Sequence, residues 1–347
     1  MFEQRKALYA DLENRRSSKV ITYITGDRPG LETQIHEEVF DYFASHLDAI
    51  GVTEKISLIL YTRGGNTLAA WSLVNLIRQF CNELELIVPS KCHSSGTIMS
   101  LGADRIIMTK QATLGPIDPS LNTPLNPAID GAPPQVRYPV SVEAVKGYME
   151  FIASSGVKNE SEVAKLLLDL SQKVHPLVLG QMHRSRSQIQ MLAKRLLQYQ
   201  VKDETAVERI ISFLCSDSGS HDYTINRREA ADLGLIIEKP NDDLYLLINS
   251  IYKDFKDEMQ LGQAFDPEQA LGQNAIADYE FRRAIVESSA HGCYYFSTCG
   301  NLNRVQQQAQ LLQGFPPGVQ LPPGFQMPVG GNVINDNRTF EGWRFTQ

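Results

Sequence analysis

The chain contains 347 residues, of which 42% are hydrophobic and 21% charged, a composition typical of globular proteins and not of disordered ones. Its formal net charge of −7 argues against a nucleic-acid partner, because nucleic-acid binding requires a basic surface. No apolar run approaches the roughly 20 residues of a membrane-spanning helix. The charged N-terminal segment lacks the apolar region of a signal peptide. Five cysteines are too few, and odd in number, for a disulfide framework. We therefore expect a cytoplasmic enzyme or binding protein.

The first part of the chain alternates predicted strands with predicted helices. After a polar helix that ends near Arg16, the predicted strands cover 20–25, 56–62, 84–88 and 105–108. The predicted helices between them cover 31–50, 66–80 and 97–102. This alternation is typical of parallel βαβ units with right-handed crossovers.

Prolines concentrate in two segments, with seven between Pro116 and Pro139 and five between Pro316 and Pro328. Proline continues neither a helix nor a central strand, so the first cluster predicts an extended loop within 111–140. A loop of this length in a compact domain is usually functional or disordered. The second cluster predicts a flexible tail that forms no packed core of its own.

The remainder of the chain is predicted to be mainly helical. Helical periodicity covers 141–154, 160–173, 176–200 and 203–214, and further helices are predicted over 227–233, 242–260 and 275–290. A short strand is predicted at 235–238, and two strands or a hairpin through 293–299. The basic side chains Arg184, Arg186, Lys194 and Arg195 on the longest helix favour a solvated or oligomer-facing surface over a nucleic-acid site. We divide the chain into an α/β core (1–140), a helical region completing the catalytic domain (141–260) and a C-terminal extension with the proline-rich tail (261–347).

Two turns that follow successive strands could together carry chemistry. One contains Gly64 and Gly65, and the other contains Ser94, Ser95 and Gly96. Because the carboxyl ends of parallel strands lie at one edge of a sheet, the two turns should be neighbours. A serine at the start of a helix can supply a nucleophile, and free backbone N–H groups can stabilise the oxyanion that forms in acyl transfer.

A serine nucleophile needs a base, and the sequence offers three candidates. His93 directly precedes Ser94, so its side chain should project elsewhere, and His221 lies in a polar turn without further features. Lys146 lies on or beside an apolar helical stripe, four residues from Val142. A lysine that faces an apolar interior loses hydration, which lowers its pKa and lets it accept a proton. The alternative is a lysine at the edge of the stripe whose amine reaches water.

The motifs resemble those of the serine dehydrogenase proteinase family, which lies in the Clp-protease/crotonase superfamily and is related to signal peptide peptidase A. They are LILYTRGGN (58–66), VPSKCHSSGTIMSLGADRIIM (88–108), LGPIDPSL (114–121) and, more weakly, INRREAADLGLII (225–237). The likeness covers roughly residues 20–240. It implies an α/β fold, a Clp/crotonase-like spiral of βαβ units followed by a helical region and a proline-rich C-terminal tail.

The resemblance also implies roles for individual residues. The family pattern aligns the nucleophile with Ser94, the oxyanion donors with the N–H groups of Gly65 and Ser95, and the base with Lys146. The substrate groove would include Gly64, Gly96 and Asp118.

The sequence departs from the family at several positions. Arg63 stands where relatives often have proline, and Cys92 and His93 replace small residues before the serine. The segment 115–119 has no histidine, which disfavours a Clp-type triad. No G-x-G-x-x-G motif supports a dinucleotide-dependent dehydrogenase.

Three functions remain open. The first is a Ser-Lys serine peptidase acting on peptides or proteins as a homo-oligomer. The second is a crotonase-type acyl-CoA enzyme, for which Asp118 is the nearby carboxylate base. The third is a non-catalytic scaffold, which predicts an exposed Lys146 far from Ser94. A zinc site at His291, Cys293 and Cys299 is disfavoured because zinc sites usually show tighter pairs and four ligands. We expect no metal or cofactor.

Overall fold

The structure is a computed structural model that describes residues 1–117, 120–121, 123–133, 135–157, 159–217, 220, 222–306 and 332–347. Asp118, His221 and the second proline cluster lie outside the described residues. The sequence predictions that concern them therefore stay predictions.

The strands begin and end at these residues: β1 (Lys19–Thr25), β2 (Thr53–Tyr61), β3 (Cys81–Val88), β4 (Lys91–Cys92), β5 (Arg105–Met108), β6 (Thr113–Leu114), β7 (Ser120–Leu121), β8 (Val140–Ser141), β9 (Ile225–Asn226), β10 (Ile237–Glu238), β11 (Ile276–Ser288), β12 (Gly292–Gln306) and β13 (Asn332–Thr346). The helices are α1 (Phe2–Arg16), α2 (Phe40–Ile50), α3 (Thr67–Arg78), α4 (Ser95–Leu101), α5 (Val142–Ser154), α6 (Glu160–Lys173), α7 (Pro176–Leu197), α8 (Glu204–Ser212), α9 (Arg227–Leu233), α10 (Asp242–Met259) and α11 (Pro267–Leu271). A short 3-10 helix (Glu37–Val39) precedes α2, and a π-helical turn (Phe213–Asp217) follows α8.

Eight of the described strands form one mixed sheet in the order β10-β5-β3-β2-β1-β11-β12-β13. The strands from β10 to β1 are parallel, and β11, β12 and β13 add to β1 as an antiparallel extension. The short strands β4, β6 and β9 make a separate sheet. The mixed α/β class predicted from the sequence is therefore confirmed.

Helices cover both faces of the parallel part of the sheet. On β2, Leu58 and Leu60 face a core that includes side chains of α2, α3, α4, α7 and α8, whereas Ile59 faces α1 and α10. Strands buried on both faces explain the continuous apolar runs seen in the sequence. The carboxyl ends of β2 and β3 are thereby held beside each other in a rigid core.

The predicted helix over 31–50 begins too early. Residue Ile35 instead pairs with the turn after β2, its N–H donating to the Gly64 carbonyl at 2.8 Å and its carbonyl accepting from Asn66 N–H at 2.8 Å. Backbone groups engaged in these bonds cannot also begin a helix, so helical structure starts only at Glu37.

The helix predicted over 275–290 is wrong, because this segment is strand β11. It pairs antiparallel with β1, where Tyr23 lies opposite Val286, and with β12 on its other side. The two strands or hairpin predicted through 293–299 are also wrong, because this segment is part of one continuous strand, β12. The end of the C-terminal extension, β13, pairs with β12 along its length.

Candidate active site

The turn after β2 is held in place by its threonine. Thr62 is fully buried, and its Oγ1 accepts a hydrogen bond from the Gly64 N–H at 3.0 Å and from the Thr25 hydroxyl at 2.7 Å. Its backbone N–H donates to the Lys91 carbonyl, and its carbonyl accepts from His93 N–H. These bonds attach the glycine turn to the segment that carries Ser94.

Ser94 occupies an unusual backbone conformation at the start of α4, with φ 52° and ψ −115°. Positive φ is uncommon for a residue with a side chain, and such strain often occurs at active sites. The residue is half-buried, and its hydroxyl has no hydrogen-bond partner among the described residues. Ser94 therefore presents a free hydroxyl at a strand-to-helix turn.

Gly64 lies directly against this serine. A Cβ at Gly64 would lie 2.7 Å from the Cβ of Ser94 and 3.1 Å from its Oγ. With φ +119°, Gly64 also adopts a conformation that side chains disfavour. The glycine is thus required by the close approach of the two turns.

The predicted oxyanion donors are also adjacent. The Ser95 hydroxyl donates to the Gly65 carbonyl at 2.6 Å. Throughout the described part of the chain, no acceptor is found for the backbone N–H of either residue. Both N–H groups are consequently free to donate to a bound oxygen.

Gly96 allows α4 to pack closely on the preceding strand. A Cβ there would lie 2.4 Å from Thr62 Cγ2 and 2.9 Å from Cys92 Sγ. Complete burial raises the pKa of Cys92 to about 12, so this thiol stays protonated near neutral pH. The Cys92 thiol is thus enclosed and protonated, whereas Ser94 is only half-buried.

The third motif is attached to the nucleophile helix through Thr97. Its hydroxyl donates to the Gly115 carbonyl at 2.8 Å and accepts from the Gly115 N–H at 3.1 Å. Two residues after Gly115, the Ile117 N–H donates to the Leu214 carbonyl. The fourth motif joins the same structure because Ile225 of β9 pairs with Leu114 of β6.

His93 is directed toward this third motif. Its Nε2 lies 2.8 Å from the Thr113 hydroxyl, and a Cβ at Gly115 would touch its side chain. The neighbouring residues Lys91 and Cys92 pair with Thr113 and Leu114 in the small sheet.

Lys146 lies in α5 with one third of its side chain exposed (33%), and its amine lies 3.5 Å from a carboxylate oxygen of Glu150. It lines a cavity of about 380 Å³ between helices. The other residues around this cavity belong to α7 and α8: Arg186, Gln190, Met191, Lys194, Glu208, Ile211 and Ser212. The described contacts thus bring together Ser94, Gly64, Gly65, Ser95 and Gly96, but they do not join Lys146 to this group.

With this geometry established, the chain can be compared with known proteins. Residues 1–135 match the family model of the ClpP-like SDH-type serine proteinases. The resemblance inferred from the motifs is thereby confirmed over this part of the chain, and it supports a serine peptidase.

Two relatives come from the archaeon Methanocaldococcus jannaschii. The uncharacterized protein MJ0137 is 28% identical over 255 residues, which cover 72% of this chain and 78% of the relative. The uncharacterized protein MJ1495 is 26% identical over 233 residues, which cover 65% of this chain and 68% of the relative.

Two solved structures align more distantly. A mutant of the 1510-N membrane-bound stomatin-specific protease, in complex with a substrate peptide, is 16% identical, with a TM-score of 0.33 over 66% of this chain and 79% of that one. ClpP1 from Listeria monocytogenes is 14% identical, with a TM-score of 0.34 over 68% of this chain and 99% of that one.

The loop between β1 and α2 supports the glycine turn, and sequence reasoning missed its role. Gly26 N–H donates to the Arg283 carbonyl at 2.7 Å, while the Arg283 guanidinium donates to the carbonyls of Leu31 and Glu32, both at 2.8 Å. The loop therefore bridges β11 and Ile35, which pairs with Gly65. No pattern in the sequence indicates this, because the two partners are about 250 residues apart.

An ion pair fixes the same end of the sheet. The Lys91 ammonium donates to Asp27, which also accepts from the Tyr61 hydroxyl at 2.8 Å. Burial alone would raise the pKa of Asp27, but the hydrogen bonds from Lys91 and Tyr61 outweigh it and lower the pKa below its usual value. Asp27 is therefore ionised and structural, and it neutralises Lys91.

All five cysteines are free thiols. Across the described ranges, no group of three or more His, Cys, Asp or Glu residues could hold a metal ion. No helix in the same ranges is both long enough and apolar enough to cross a membrane.

Proposed function

We propose that this protein is a serine endopeptidase that hydrolyses peptide bonds through an acyl-enzyme. The single observation that supports this most directly is the free hydroxyl of Ser94, held at positive φ against Gly64. Beside it, the Ser95 hydroxyl ties the Gly65 turn to the start of α4. The family match over residues 1–135 points to the same chemistry.

In the proposed reaction, Ser94 Oγ attacks the scissile carbonyl carbon while its proton passes to a base. The carbonyl oxygen becomes an oxyanion that accepts hydrogen bonds from the Gly65 and Ser95 N–H groups. The C–N bond then breaks, the base protonates the leaving amine, and an ester to Ser94 remains. A water molecule, deprotonated by the same base, hydrolyses this ester and restores the serine.

We propose Lys146 as this base. Its side chain is two-thirds covered and lies in a cavity whose walls include Ser212. Two residues further along, Leu214 bonds Ile117, and the motif of Ile117 is anchored to α4 by Thr97. These contacts link one wall of the Lys146 cavity to α4 through the segment 115–117, whereas no described contact joins Lys146 itself to Ser94.

The substrate is proposed to be an extended peptide that lies along the segment after Gly115. Gly64 and Gly96 would line the groove together with Asp118, and the first proline cluster would form its wall. An extended peptide could pair there with an exposed strand edge. We further propose that the protein works as a homo-oligomer.

Labelling with a fluorophosphonate probe tests the nucleophile. Wild-type protein should be labelled at Ser94, and Ser94→Ala should lose all labelling. Ser45→Ala, which alters a half-buried serine of α2, is the matched control and should be labelled like wild type. Labelling that persists in Ser94→Ala would refute the assignment. Peptide hydrolysis by that variant would refute it too, and tight CoA binding would then favour the crotonase-type alternative.

The base is tested separately. Lys146→Met should reduce peptide turnover at least about 100-fold, since general-base catalysis typically contributes 10²–10⁴-fold. Lys165→Met, on the exposed surface of α6, is the control. Unchanged turnover in Lys146→Met would remove Lys146 from the mechanism and leave the assignment of Ser94 intact.

A further inference from the structure

We propose that Arg63 is a specificity-determining residue that selects substrates carrying a carboxylate close to the scissile bond. This inference rests on the proposed peptidase function and adds a substrate class to it. Arg63 lies between Thr62 and Gly64, inside the turn that supplies the proposed oxyanion donor Gly65.

The position of Arg63 is fixed relative to Ser94. A Cβ at Gly64 would lie 3.1 Å from Ser94 Oγ, and consecutive Cα atoms are about 3.8 Å apart, so the Arg63 Cα lies within about 8 Å of that hydroxyl. On the other side, Thr62 is buried and bonded to Thr25, Gly64 and Lys91. The backbone of Arg63, from which its side chain extends, is therefore held in a fixed position at the rim of the proposed site.

The guanidinium of Arg63 has no partner among the described residues. Arg63 is exposed, and in the described chain it forms no ion pair, side-chain hydrogen bond or ring contact. Many other arginines of this acidic protein are paired with carboxylates: Arg5, Arg15, Arg16, Arg78, Arg105, Arg282, Arg283, Arg304, Arg338 and Arg344. Among the described residues, Arg63 thus has no carboxylate partner beside the proposed nucleophile.

The neighbouring basic residue does not compete for this role. Lys91, whose carbonyl bonds Thr62, is already paired with the buried Asp27. A planar guanidinium binds a carboxylate through two parallel hydrogen bonds, a geometry that lysine cannot offer. An arginine side chain spans roughly two residues of extended peptide, so the preferred carboxylate should lie within about two residues of the scissile bond. It would be an Asp or Glu side chain, or the peptide's C-terminal carboxylate.

The test measures how well short alanine-based peptides protect Ser94 from a neutral fluorophosphonate. The peptides differ only in one residue, Glu, Gln or Lys, and are made with a free or an amidated C-terminus. Wild type should be protected at about fivefold lower concentration by Glu peptides than by Gln peptides, in line with an exposed ion pair. Arg63→Gln should abolish this difference, and Arg63→Glu should favour the Lys peptides. The preference should weaken in 1 M salt.

Comparing peptides with free and with amidated C-termini distinguishes the two sources of the carboxylate. A preference for free over amidated termini that disappears in Arg63→Gln assigns the terminal carboxylate, whereas a preference for Glu over Gln in amidated peptides assigns a side chain. Arg184→Glu, an equal charge change on the exposed part of α7, should leave every ratio as in wild type.

Two outcomes are separable from each other. If Glu and free-acid peptides protect wild type no better than Gln and amidated peptides, the role of Arg63 is refuted while Ser94 labelling still stands. If wild type is not labelled at Ser94, the proposed peptidase function fails first, and the role of Arg63 fails with it.

Discussion

The Ser95 hydroxyl donates a 2.6 Å hydrogen bond to the Gly65 carbonyl, and this contact joins the turn after β2 to the first residue of α4. Ser95 is almost fully buried, with 1% of its surface exposed. The bond therefore fixes the spacing of the two proposed oxyanion donors.

Replacing this serine should weaken both catalysis and stability. In Ser95→Ala both N–H groups remain, but their spacing is no longer fixed, so we expect about a tenfold lower rate of peptide hydrolysis. The loss of one buried hydrogen bond should lower the free energy of unfolding by about 1–2 kcal/mol. Ser100→Ala, which removes a buried hydroxyl of the same helix, should cost similar stability and leave the rate near wild type. Equal rates in the two variants would contradict this view of Ser95.

Alanine substitutions at the two glycines of the turn should have different effects, one mainly on activity and the other mainly on stability. In Gly64→Ala the new methyl meets the side chain of Ser94, so hydrolysis and labelling should fall at least about 100-fold. In Gly65→Ala the methyl would lie 2.3 Å from the carbonyl oxygen of Ile35, which breaks the backbone pairing of that segment. Thermal unfolding should therefore show Gly65→Ala as the less stable variant, and the reverse order would contradict the assignment.

The buried ion pair between Arg5 and Glu287 should be important for stability. Both side chains are fully buried, with Nε and Oε1 2.6 Å apart, and Asp254, Glu258 and Tyr9 complete the network. Arg5→Met would leave a buried, unpaired carboxylate and should lower the free energy of unfolding by about 3–5 kcal/mol in urea titrations. Arg15→Met removes an exposed pair of the same helix and should cost less than about 1 kcal/mol.

His46 should make stability depend on pH. Its ring is buried, its Nε2 donates to the Val286 carbonyl, and its Nδ1 accepts from the Ser288 hydroxyl. Burial, together with the charge of His291, lowers the pKa of His46 from 6.5 to about 4. The unfolded chain therefore binds the proton more readily, and about 3 kcal/mol of stability should be lost as the pH falls from about 6.5 to about 4. Urea titrations across this pH range should show a smaller loss of unfolding free energy in His46→Gln than in wild type. The control His36→Gln, at an exposed site, should show the same loss as wild type.

Much of this fold follows from local patterns in the sequence. The strand at 105–108 and the helices over 160–173 and 227–233 are predicted to the residue, because apolar periodicity and end signals agree there. The proximity of Ser94 to the two glycines follows from the rule that parallel strands end at one edge.

The errors arise where distant partners decide local structure. A helix is predicted over 275–290, but pairing with β1 and β12 makes residues 276–288 a strand. Ile35 likewise leaves its helix because the Gly65 turn offers backbone partners. Lys146 lies near its predicted stripe, yet a one-dimensional pattern cannot show which cavity its amine enters.

The bridge from Arg283 to Leu31 and Glu32 has a consequence for the timing of activity in the cell. A ribosome has made the whole serine turn by residue 97, but the loop that supports the opposing glycine turn gains its partner only when β11 has been synthesised. Until then β1 is an open, apolar strand edge, which invites aggregation. We therefore expect the proposed active site to assemble only after most of the polypeptide has been made.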